Sequence, residues 1–370
     1  MSHLIIHIGA GKCGSSSIQW MLKKAARRPN RHKLSYQQLQ PRVILGLNQS
    51  EPQALAITKQ QLERKKHTDF LVVSHEFLQE KYIAVRNICD IAVSLGFHSA
   101  QIVGYTRRQD QWHRSSFNQW SFRNINQLKQ THHVFKCLKC DWQLFSGYER
   151  WLIACLIKKQ GPDWNAHYQH HKAEISGSCL PATISSNPIP KEADPAELLH
   201  HFNQTCGLKL NKAFINRCKP VKNSSFSEFI TETVADSILH GKNGAFPMTP
   251  HSNNELLRRL SAKLPRSIPE INSIFTTKLG KSYLHLFQKA NQEYCARFHL
   301  SFREHFEVPG SDALKNEAEI TSLIQEENYQ RSLNIRDIMA GKAEIHAVSI
   351  EALLSELIEQ RRQITKEPRK

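Results

Sequence analysis

The sequence predicts an α/β protein in which helices flank a central parallel β-sheet. A strand, a glycine-serine turn and a helix follow one another over residues 4–25, and a strand, a helix and a further strand follow over residues 70–105. A strand–helix–strand unit of this length is a crossover, which joins parallel strands and covers the sheet with its helix. With 370 residues, the chain is long enough for one large domain or two.

The first unit begins with an apolar, β-branched run over residues 4–8, which is typical of a buried parallel strand. The turn after it, residues 9–17, reads GAGKCGSSS. The next helix is indicated by apolar residues at helical spacing, namely Ile18, Met21, Leu22 and Ala25. Glycine is scarce, with 15 residues in the whole chain, yet three of them fall within six residues of this turn. The turn is therefore a specific feature of the sequence and not an effect of composition.

The second unit predicts strands at residues 70–73 and 101–105, with a helix over 83–95 that Gly96 ends. A further strand is expected within residues 32–39. Beyond residue 146 the pattern is mainly helical, with a proline-rich connection at 181–195 and helices at 196–206, 226–240, 253–264 and 278–297. After residue 310 the tail has the pattern of an amphipathic helix, carried by Ile350, Leu353, Leu354 and Leu357.

Positive charge is concentrated in two segments of the chain. There are 50 Lys and Arg against 33 Asp and Glu, a formal net charge of +17. Residues 1–50 hold eight Lys and Arg and no acidic residue, and residues 101–160 hold ten against three acidic residues. Such a field attracts polyanions and ligands that bear phosphate. Charge alone does not distinguish among a nucleic acid, a nucleotide, an acidic polysaccharide and a generally basic surface.

Composition argues against two classes of protein. No apolar run approaches the roughly 18 residues that cross a bilayer, and the first residues lack the pattern of a signal peptide. The nine Cys, an odd number, fit reduced thiols better than a full set of disulfides. We therefore expect neither an integral membrane protein nor a disulfide-stapled secreted domain, and we expect a cytoplasmic location.

The turn at residues 9–17 has the features of an anion-binding loop. A loop that leaves a parallel strand and opens a helix directs backbone N–H groups and the positive end of the helix dipole at one point. Lys12 adds a positive charge, and residues 15–17 add hydroxyl donors. The standard P-loop spacing is not matched, because Lys12 precedes Gly14 instead of following it. The simpler alternative is a glycine-rich turn that carries a surface lysine.

Two motifs resemble those of a known enzyme family. The loop is similar to the 5′-phosphosulfate loop of the sulfotransferases that use 3′-phosphoadenylyl sulfate (PAPS), and it is closest to their bacterial carbohydrate-type branch. The matching residues read His7-Ile8-Gly9-x-x-Lys12-x-Gly14-Ser15-Ser16-Ser17-Ile18-Gln19. That family places its 3′-phosphate site at the end of a later strand, as an Arg followed eight residues on by a Ser. Arg107 and Ser115 match this spacing.

The resemblance implies a P-loop NTPase-like sulfotransferase fold with helical additions, to which the amphipathic pattern after residue 310 adds a helical C-terminal tail. Residues 1–310 would form the sulfotransferase domain, and residues 311–370 a helical C-terminal extension. Within the domain, residues 1–150 would carry the PAPS-binding motifs and residues 150–310 a mainly helical part on the acceptor side. The resemblance is clear over the first 150 residues and loose over the part that follows.

The resemblance also implies a reaction and the residues that perform it. PAPS would donate a sulfuryl group to a hydroxyl or amine on a glycan or glycolipid, with no metal. Lys12 is expected to stabilise the leaving phosphate oxygen, and Glu76 or His75, at the end of a strand, to take the acceptor's proton. Further candidates for this base are His7, His32 and His113. The residues expected to bind PAPS are Gly11, Lys12, Cys13, Gly14, Ser15, Ser16, Ser17, Arg107 and Ser115.

Three other interpretations stay open. A kinase with a divergent loop would use a nucleoside triphosphate and a metal. A nucleic-acid-binding protein would stack bases on the aromatic residues of 112–122, although their helical spacing favours a core or a nucleotide pocket, and we expect no nucleic acid. Cys137 and Cys140, with His132 and His133, have the spacing of half a zinc site. Because the sequence holds no second Cys-x-x-Cys, we expect no metal there.

Overall fold

The computed structural model of the protein describes residues 2–27, 33–120, 125–189, 195–218, 227–228, 230–232, 273–307, 313–344, 347–348 and 351. Within these residues the strands are β1 His3–His7, β2 Leu34–Gln38, β3 Phe70–Ser74, β4 Ser99–Thr106 and β5 Ala182–Pro188. The α-helices are α1 Ser15–Ala26, α2 Pro41–Asn48, α3 Pro52–Glu63, α4 Tyr82–Ser94, α5 Gln109–Trp120, α6 Ile125–Leu138, α7 Gly147–Ile157, α8 Trp164–Ile175, α9 Pro195–Thr205, α10 Lys212–Arg217, α11 Ser273–Leu286, α12 Gln288–Arg297, α13 Phe302–His305 and α14 Glu317–Leu333. Short 3₁₀ helices span Glu76–Glu80 and Trp142–Leu144.

The described strands form a parallel sheet in the order β2-β3-β1-β4-β5. β1 lies at its centre, where His3 pairs in register with Phe70 of β3 on one side and with Ser99 of β4 on the other. Residues 4–6 of β1 are fully buried, as is typical of a parallel sheet flanked by helices. The predicted α/β class with a central parallel sheet is confirmed.

Strand β5 corrects one expectation. Its segment, residues 181–195, was expected to be a connection because it is rich in proline, but β5 runs through its first half and pairs with β4. The prolines do not interrupt the strand, because Pro181 precedes it and Pro188 ends it at the edge of the sheet. The carbonyl of Pro181 still accepts a hydrogen bond from the N–H of Ala100, at 2.9 Å.

Several predicted elements agree with the structure. β2 lies within the predicted strand 32–39, and α4 matches the predicted helix 83–95, after which Gly96 adopts a φ of 86°. α9 matches the predicted helix 196–206, whereas the predicted helix 278–297 is divided into α11 and α12. Outside the described residues lie the predicted helix 253–264, most of the predicted helix 226–240, and the tail residues Ile350, Leu353, Leu354 and Leu357.

The chain forms two compact units whose segments alternate along the sequence. The first unit comprises Met1–Arg108, Asp163–Asn223 and Gln288–Glu307 and contains the sheet. The second unit comprises Gln109–Pro162, Ser224–Phe287 and Val308–Lys370 and is helical in its described residues. It has a core of its own, which includes Phe135, Phe145, Leu152, Leu279 and Ile324. Across the described part of the chain, no helix combines the length and the apolar character that a membrane span requires.

Candidate functional site

Three charged residues predicted for the site follow adjacent strands of the first unit. Lys12 lies in the loop after the central strand β1, Glu76 follows β3, and Arg107 follows β4. β3 and β4 pair with β1 on its two sides. The carboxyl ends of parallel strands share one edge of the sheet, and open α/β sheets bind ligands at that edge. The topology therefore brings these three residues to the same edge.

The loop between β1 and α1 depends on two glycines. A Cβ on Gly9 would lie 2.3 Å from the Ser15 hydroxyl oxygen and 2.5 Å from Nε2 of His7, so only glycine fits there. Gly14 is the N-cap of α1 and has a φ of 80°, a left-handed conformation that glycine adopts without strain. These two positions fix where the chain leaves the strand and where the helix begins.

The backbone of the loop forms a tight turn that leads directly into α1. The φ angle is positive at Lys12 (67°) and Gly14 (80°) but not at Cys13 between them, an alternation that also occurs in backbone anion sites. The Cys13 N–H and the Ser15 hydroxyl both donate to the Ala10 carbonyl, at 3.2 and 3.0 Å. The loop thus opens directly onto the N-terminus of α1, where the helix dipole favours an anion.

The serines and the remaining loop residues differ in exposure. Ser15 and Ser17 are buried, whereas Ser16, Gly11 and Lys12 are half-buried. Because the proton of Ser15 is donated within the loop, this hydroxyl stabilises the turn. Among the three predicted hydroxyl donors, Ser16 has the most accessible side chain.

Two cations act on the buried thiol of Cys13. Burial raises the pKa of this thiol to about 12, while the charges of Arg107 and Lys12 lower it. The thiol is therefore protonated at neutral pH. Both cations have to lie near the loop to affect the same side chain. Burial also lowers the pKa of the Arg107 guanidinium, which starts high enough to leave it charged.

The backbone of Arg107 is held by an aromatic residue that the sequence did not reveal. The indole N–H of Trp164, which is buried, donates to the Arg107 carbonyl at 2.8 Å. Trp164 begins α8, where the Asp163 side chain accepts a hydrogen bond from the Ala166 N–H at 2.8 Å. The first turn of α8 thus fixes the end of β4. No pattern in the sequence indicates this contact, because only the fold brings these residues together.

His75 and Glu76 begin the 3₁₀ helix after β3. The Nδ1 atom of His75 accepts a hydrogen bond from the Phe77 N–H at 3.0 Å. Burial lowers the pKa of His75, so its ring is neutral and carries its proton on Nε2. The Glu76 side chain reaches solvent, yet the protein atoms around its carboxyl raise its pKa, while the charge of Lys12 lowers it. Lys12 and Glu76 are therefore close enough to interact.

A buried hydrogen-bonded group lies between the loop and this segment. His7 is the last residue of β1, and burial lowers its pKa to about 3. Its Nδ1 atom is 2.8 Å from the hydroxyl of Ser74, which also accepts a hydrogen bond from the Gln19 amide at 3.3 Å. The sequence did not identify this group; its only signal is the position of Ser74 directly before His75 and Glu76.

The other candidate residues belong to the second unit or lie outside the described residues. Ser115 is half-buried on α5, in the second unit, so its pairing with Arg107 stays a prediction. His113 on the same helix is buried, which lowers its pKa to about 3, and its Nδ1 atom accepts a hydrogen bond from the Trp151 indole at 3.0 Å. His32 lies outside the described residues.

The Cys137 segment holds a thiol–imidazole contact on α6. The Sγ atom of Cys137 lies 3.5 Å from Nε2 of His133, one helical turn earlier. The ring of His132 packs edge-on against Trp142, with centroids 5.3 Å apart. In the part of the chain that the structure describes, no group of three or more His, Cys, Asp or Glu side chains is arranged to hold a metal ion.

Comparison of the chain with protein-family models, with curated protein sequences and with solved structures found no significant match. The function is therefore inferred from the residues at the edge of the sheet and from the motifs in the sequence.

Proposed function

We propose that this protein is a PAPS-dependent sulfotransferase, which transfers a sulfuryl group to a hydroxyl or amine on a carbohydrate or glycolipid. The observation that carries the proposal is that Lys12, Glu76 and Arg107 follow three adjacent parallel strands at one edge of the sheet. The charges of Arg107 and Lys12 lower the pKa of Cys13, and the charge of Lys12 lowers that of Glu76, which supports the proximity of the three charged residues. The position of the loop after the central strand, together with its sequence, supports a P-loop-like sulfotransferase fold.

In this proposal the loop binds the 5′-phosphosulfate of the donor. The loop N–H groups and the dipole of α1 stabilise the anion, and Lys12 supplies a charge at the oxygen that bridges phosphorus and sulfur. Arg107 comes from the neighbouring strand and offers a planar guanidinium, which binds the 3′-phosphate through two hydrogen bonds. Ser115, eight residues after Arg107, matches the spacing of the family's second donor to that phosphate.

The transfer itself is an in-line displacement at sulfur. The acceptor oxygen or nitrogen forms a bond to sulfur while the bond from sulfur to the bridging oxygen breaks. The electron pair of the broken bond stays on that oxygen, and 3′-phosphoadenosine 5′-phosphate (PAP) departs. Lys12 stabilises the charge that grows on the leaving oxygen. Because a phosphate leaves readily, positioning and charge stabilisation suffice, and the proposal requires no metal.

Glu76 fits the role of base better than His75. A base needs an unprotonated atom that faces the acceptor, but Nδ1 of His75 accepts the Phe77 N–H and its Nε2 carries the proton. The carboxylate of Glu76 is exposed, and the net rise in its pKa increases its basicity. We therefore assign the acceptor's proton to Glu76.

The cysteines support a cytoplasmic location for this enzyme. All nine are free, and several, including Cys13, Cys89 and Cys206, are buried as thiols. Proteins that work in oxidising compartments more often pair such residues. A cytoplasm also supplies nucleotide donors.

The proposal is tested by calorimetry with PAP and, separately, with ATP plus Mg²⁺. We expect binding of PAP in the presence of a chelator and weaker binding of ATP. The Arg107→Ala variant should lose about 10- to 100-fold in affinity for PAP, the value of a charged hydrogen bond. Its affinity for adenosine 5′-phosphate, which lacks the 3′-phosphate, should not change. The neighbouring Arg108→Ala serves as the matched control and should bind PAP like the wild type.

Three results would contradict the proposal. Preference for ATP with Mg²⁺ would indicate a kinase. Tight, steeply salt-dependent binding of RNA or DNA with no PAP binding would indicate a nucleic-acid-binding protein. Equal losses of PAP affinity in the Arg107→Ala and Arg108→Ala variants would remove the assignment of the 3′-phosphate to Arg107.

A further inference from the structure

His7 fills the space directly under the phosphate loop. Its side chain is fully buried at the end of β1, and its ring packs edge-on against Phe202, with centroids 5.4 Å apart. Gly9, two residues later, has no room for a Cβ, which would lie 2.5 Å from Nε2 of His7. The first turn of the loop therefore rests on the imidazole ring, and the position of the ring affects the position of the loop.

The same ring is bonded to the segment that carries Glu76. In the sheet, His7 pairs in register with Ser74 of β3. The Nδ1 atom of His7 lies 2.8 Å from the Ser74 hydroxyl, and the bond is buried. Ser74 is followed directly by His75 and Glu76, and Gln19 of α1 donates to the same hydroxyl at 3.3 Å. One hydroxyl thus joins the end of β1, the end of β3 and the helix that follows the loop.

We propose that the His7–Ser74 hydrogen bond positions the loop, with Lys12, relative to the segment that carries Glu76. The inference rests on the proposed function, because Lys12 and Glu76 act there on opposite sides of the sulfur atom. An in-line transfer loses about 100-fold in rate when its groups are misplaced by about 1 Å. Binding of PAP depends on the loop and on Arg107 but not on Glu76, so it is less sensitive to the position of the Glu76 segment. His7 and Ser74 are therefore positioning residues whose loss lowers the rate of transfer more than the affinity for the nucleotide.

The structure supplies a matched control on the same strand. At the opposite end of β1, Nδ1 of His3 forms an equivalent bond to the Ser99 hydroxyl of β4, at 2.7 Å. His3→Leu removes one histidine–serine bond between neighbouring strands, as His7→Leu does, but at the edge of the sheet away from the loop. A general weakening of the sheet would affect both variants.

The test measures PAPS hydrolysis and PAP affinity in the same set of variants. In hydrolysis, water forms the bond to sulfur, the bond to the bridging oxygen breaks, PAP leaves with the electron pair, and the water proton passes to Glu76. We expect His7→Leu and Ser74→Ala to lower this rate about 10- to 100-fold, with less than about a threefold change in PAP affinity. His7→Asn places an amide at the position of Nδ1 and should restore most of the rate. His3→Leu should change neither quantity.

Ser74→Ala tests the same bond if His7→Leu does not fold, because it removes this bond with little loss of volume. In the double variant His7→Leu/Ser74→Ala the two losses of hydrolysis rate should not add, since each change breaks the same bond. The inference is overturned if rate and PAP affinity fall together, if His7→Asn does not restore the rate, or if His3→Leu has the same effect.

Amide hydrogen exchange separates this inference from the proposed function. If the wild type binds no PAP, the proposed function fails. Hydrogen exchange still tests whether the His7–Ser74 bond links the loop to the segment that carries Glu76. His7→Leu and Ser74→Ala should speed exchange at residues 9–15 and 75–80, and His3→Leu should not. Unchanged exchange in both segments would overturn the link, whatever the wild type binds.

Discussion

Lys12 lies close enough to Glu76 for its ammonium charge to lower the pKa of the Glu76 carboxyl, against the larger rise that the surrounding protein causes. The two residues belong to segments that follow β1 and β3, which are neighbours in the sheet. The pair therefore joins the proposed anion site to the proposed base. A change at one residue should be measurable at the other.

Replacing Lys12 by Met should move the pH dependence of transfer as well as lower its rate. In the proposed mechanism Glu76 accepts the proton only when ionised, so the rate should fall as the pH falls through its pKa. Without the charge of Lys12 this pKa rises, and the acidic limb of the profile of rate against pH should move to higher pH. The rate on the plateau should fall about 100- to 1000-fold, because the leaving oxygen loses its stabilising charge.

Lys23→Met is the control for this prediction, because Lys23 is exposed near the other end of α1. Its profile should overlay that of the wild type. An acidic limb that stays in place in Lys12→Met would show that Glu76 is not the group that titrates in the reaction.

Replacing Trp164 by Phe should weaken the binding of the 3′-phosphate. The change removes the donor to the Arg107 carbonyl and keeps most of the buried ring. We expect a loss of about 1 kcal/mol in the free energy of unfolding and a fall of about fivefold in PAP affinity. Affinity for adenosine 5′-phosphate should stay constant, and calorimetry with both nucleotides measures the difference.

Tyr283→Phe is the control, since it removes a donor to the Gln160 carbonyl (3.0 Å) in the second unit. A Trp164→Phe variant that binds PAP normally would contradict the role of this contact.

The sequence predicts the sheet better than the contacts that hold the site. β1, β3 and β4 are predictable because a buried parallel strand is a short apolar run, and the convergence of Lys12, Glu76 and Arg107 follows from the rule that such strands end at one edge. β5 was missed because its prolines suggested a loop, although prolines are tolerated at the ends of an edge strand.

The contacts of single side chains could not be predicted in the same way. The hydrogen bond from Trp164 to Arg107 and the one between His7 and Ser74 join residues that are 57 and 67 positions apart. Such contacts depend on packing angles and rotamers, which no local pattern encodes. The fold of the chain is therefore more accessible to sequence reasoning than the precise support of its site.

Replacing Gly9 by Ala should damage the loop. A Cβ would collide with the hydroxyl of Ser15 and with Nε2 of His7, so the start of the loop has to move. We expect a decrease of about 1–3 kcal/mol in the free energy of unfolding, as for other overpacked positions, and a loss of PAP affinity.

Gly280→Ala is the control, because a Cβ at this helical position meets nothing within 4 Å. It should leave PAP binding unchanged and raise stability slightly. Normal PAP binding by the Gly9→Ala variant would show that the loop tolerates the shift.

Acid should destabilise the protein before its carboxylates titrate. Burial lowers the pKa values of His7 and His113 from 6.5 to about 3, and that of His171 to about 4. The unfolded chain therefore binds protons that the folded chain does not. The stability contributed by each residue is complete above pH 6.5 and is lost as the pH falls toward its folded pKa. In that range the proton taken up by each of these histidines in the unfolded chain lowers the free energy of unfolding by about 1.4 kcal/mol per pH unit.

Urea unfolding between pH 7 and 5 measures this loss. His171→Gln retains a donor for the Gln79 carbonyl, which Nε2 of His171 contacts at 2.9 Å, but it cannot take a proton. Its free energy of unfolding should decline less steeply with pH than that of the wild type, by about 1.4 kcal/mol per pH unit. Equal slopes would mean that His171 does not remain neutral in the folded protein.

The buried ion pair between Arg331 and Glu149 should be critical for the second unit. Both side chains are almost fully buried, and the guanidinium donates to both carboxylate oxygens, at 2.8 and 2.9 Å. Burial raises the pKa of Glu149. The hydrogen bonds and charge of Arg331, together with hydrogen bonds from the Ser146 N–H and the Thr276 hydroxyl, lower this pKa by more, so it lies below its ordinary value. The carboxylate therefore remains ionised only because its partners surround it.

Replacing Arg331 by Met should lower the free energy of unfolding by about 3–5 kcal/mol, because it leaves a carboxylate buried without its main partner. The double variant Arg331→Met/Glu149→Gln should recover part of that loss, since the uncompensated charge is gone. Arg303→Met is the control: its pair with Glu307 (3.5 Å) is exposed and should contribute less than about 1 kcal/mol. Chemical denaturation of the four proteins gives the comparison. If the double variant is as unstable as Arg331→Met alone, the cost comes from lost packing of the arginine side chain and not from the unpaired charge.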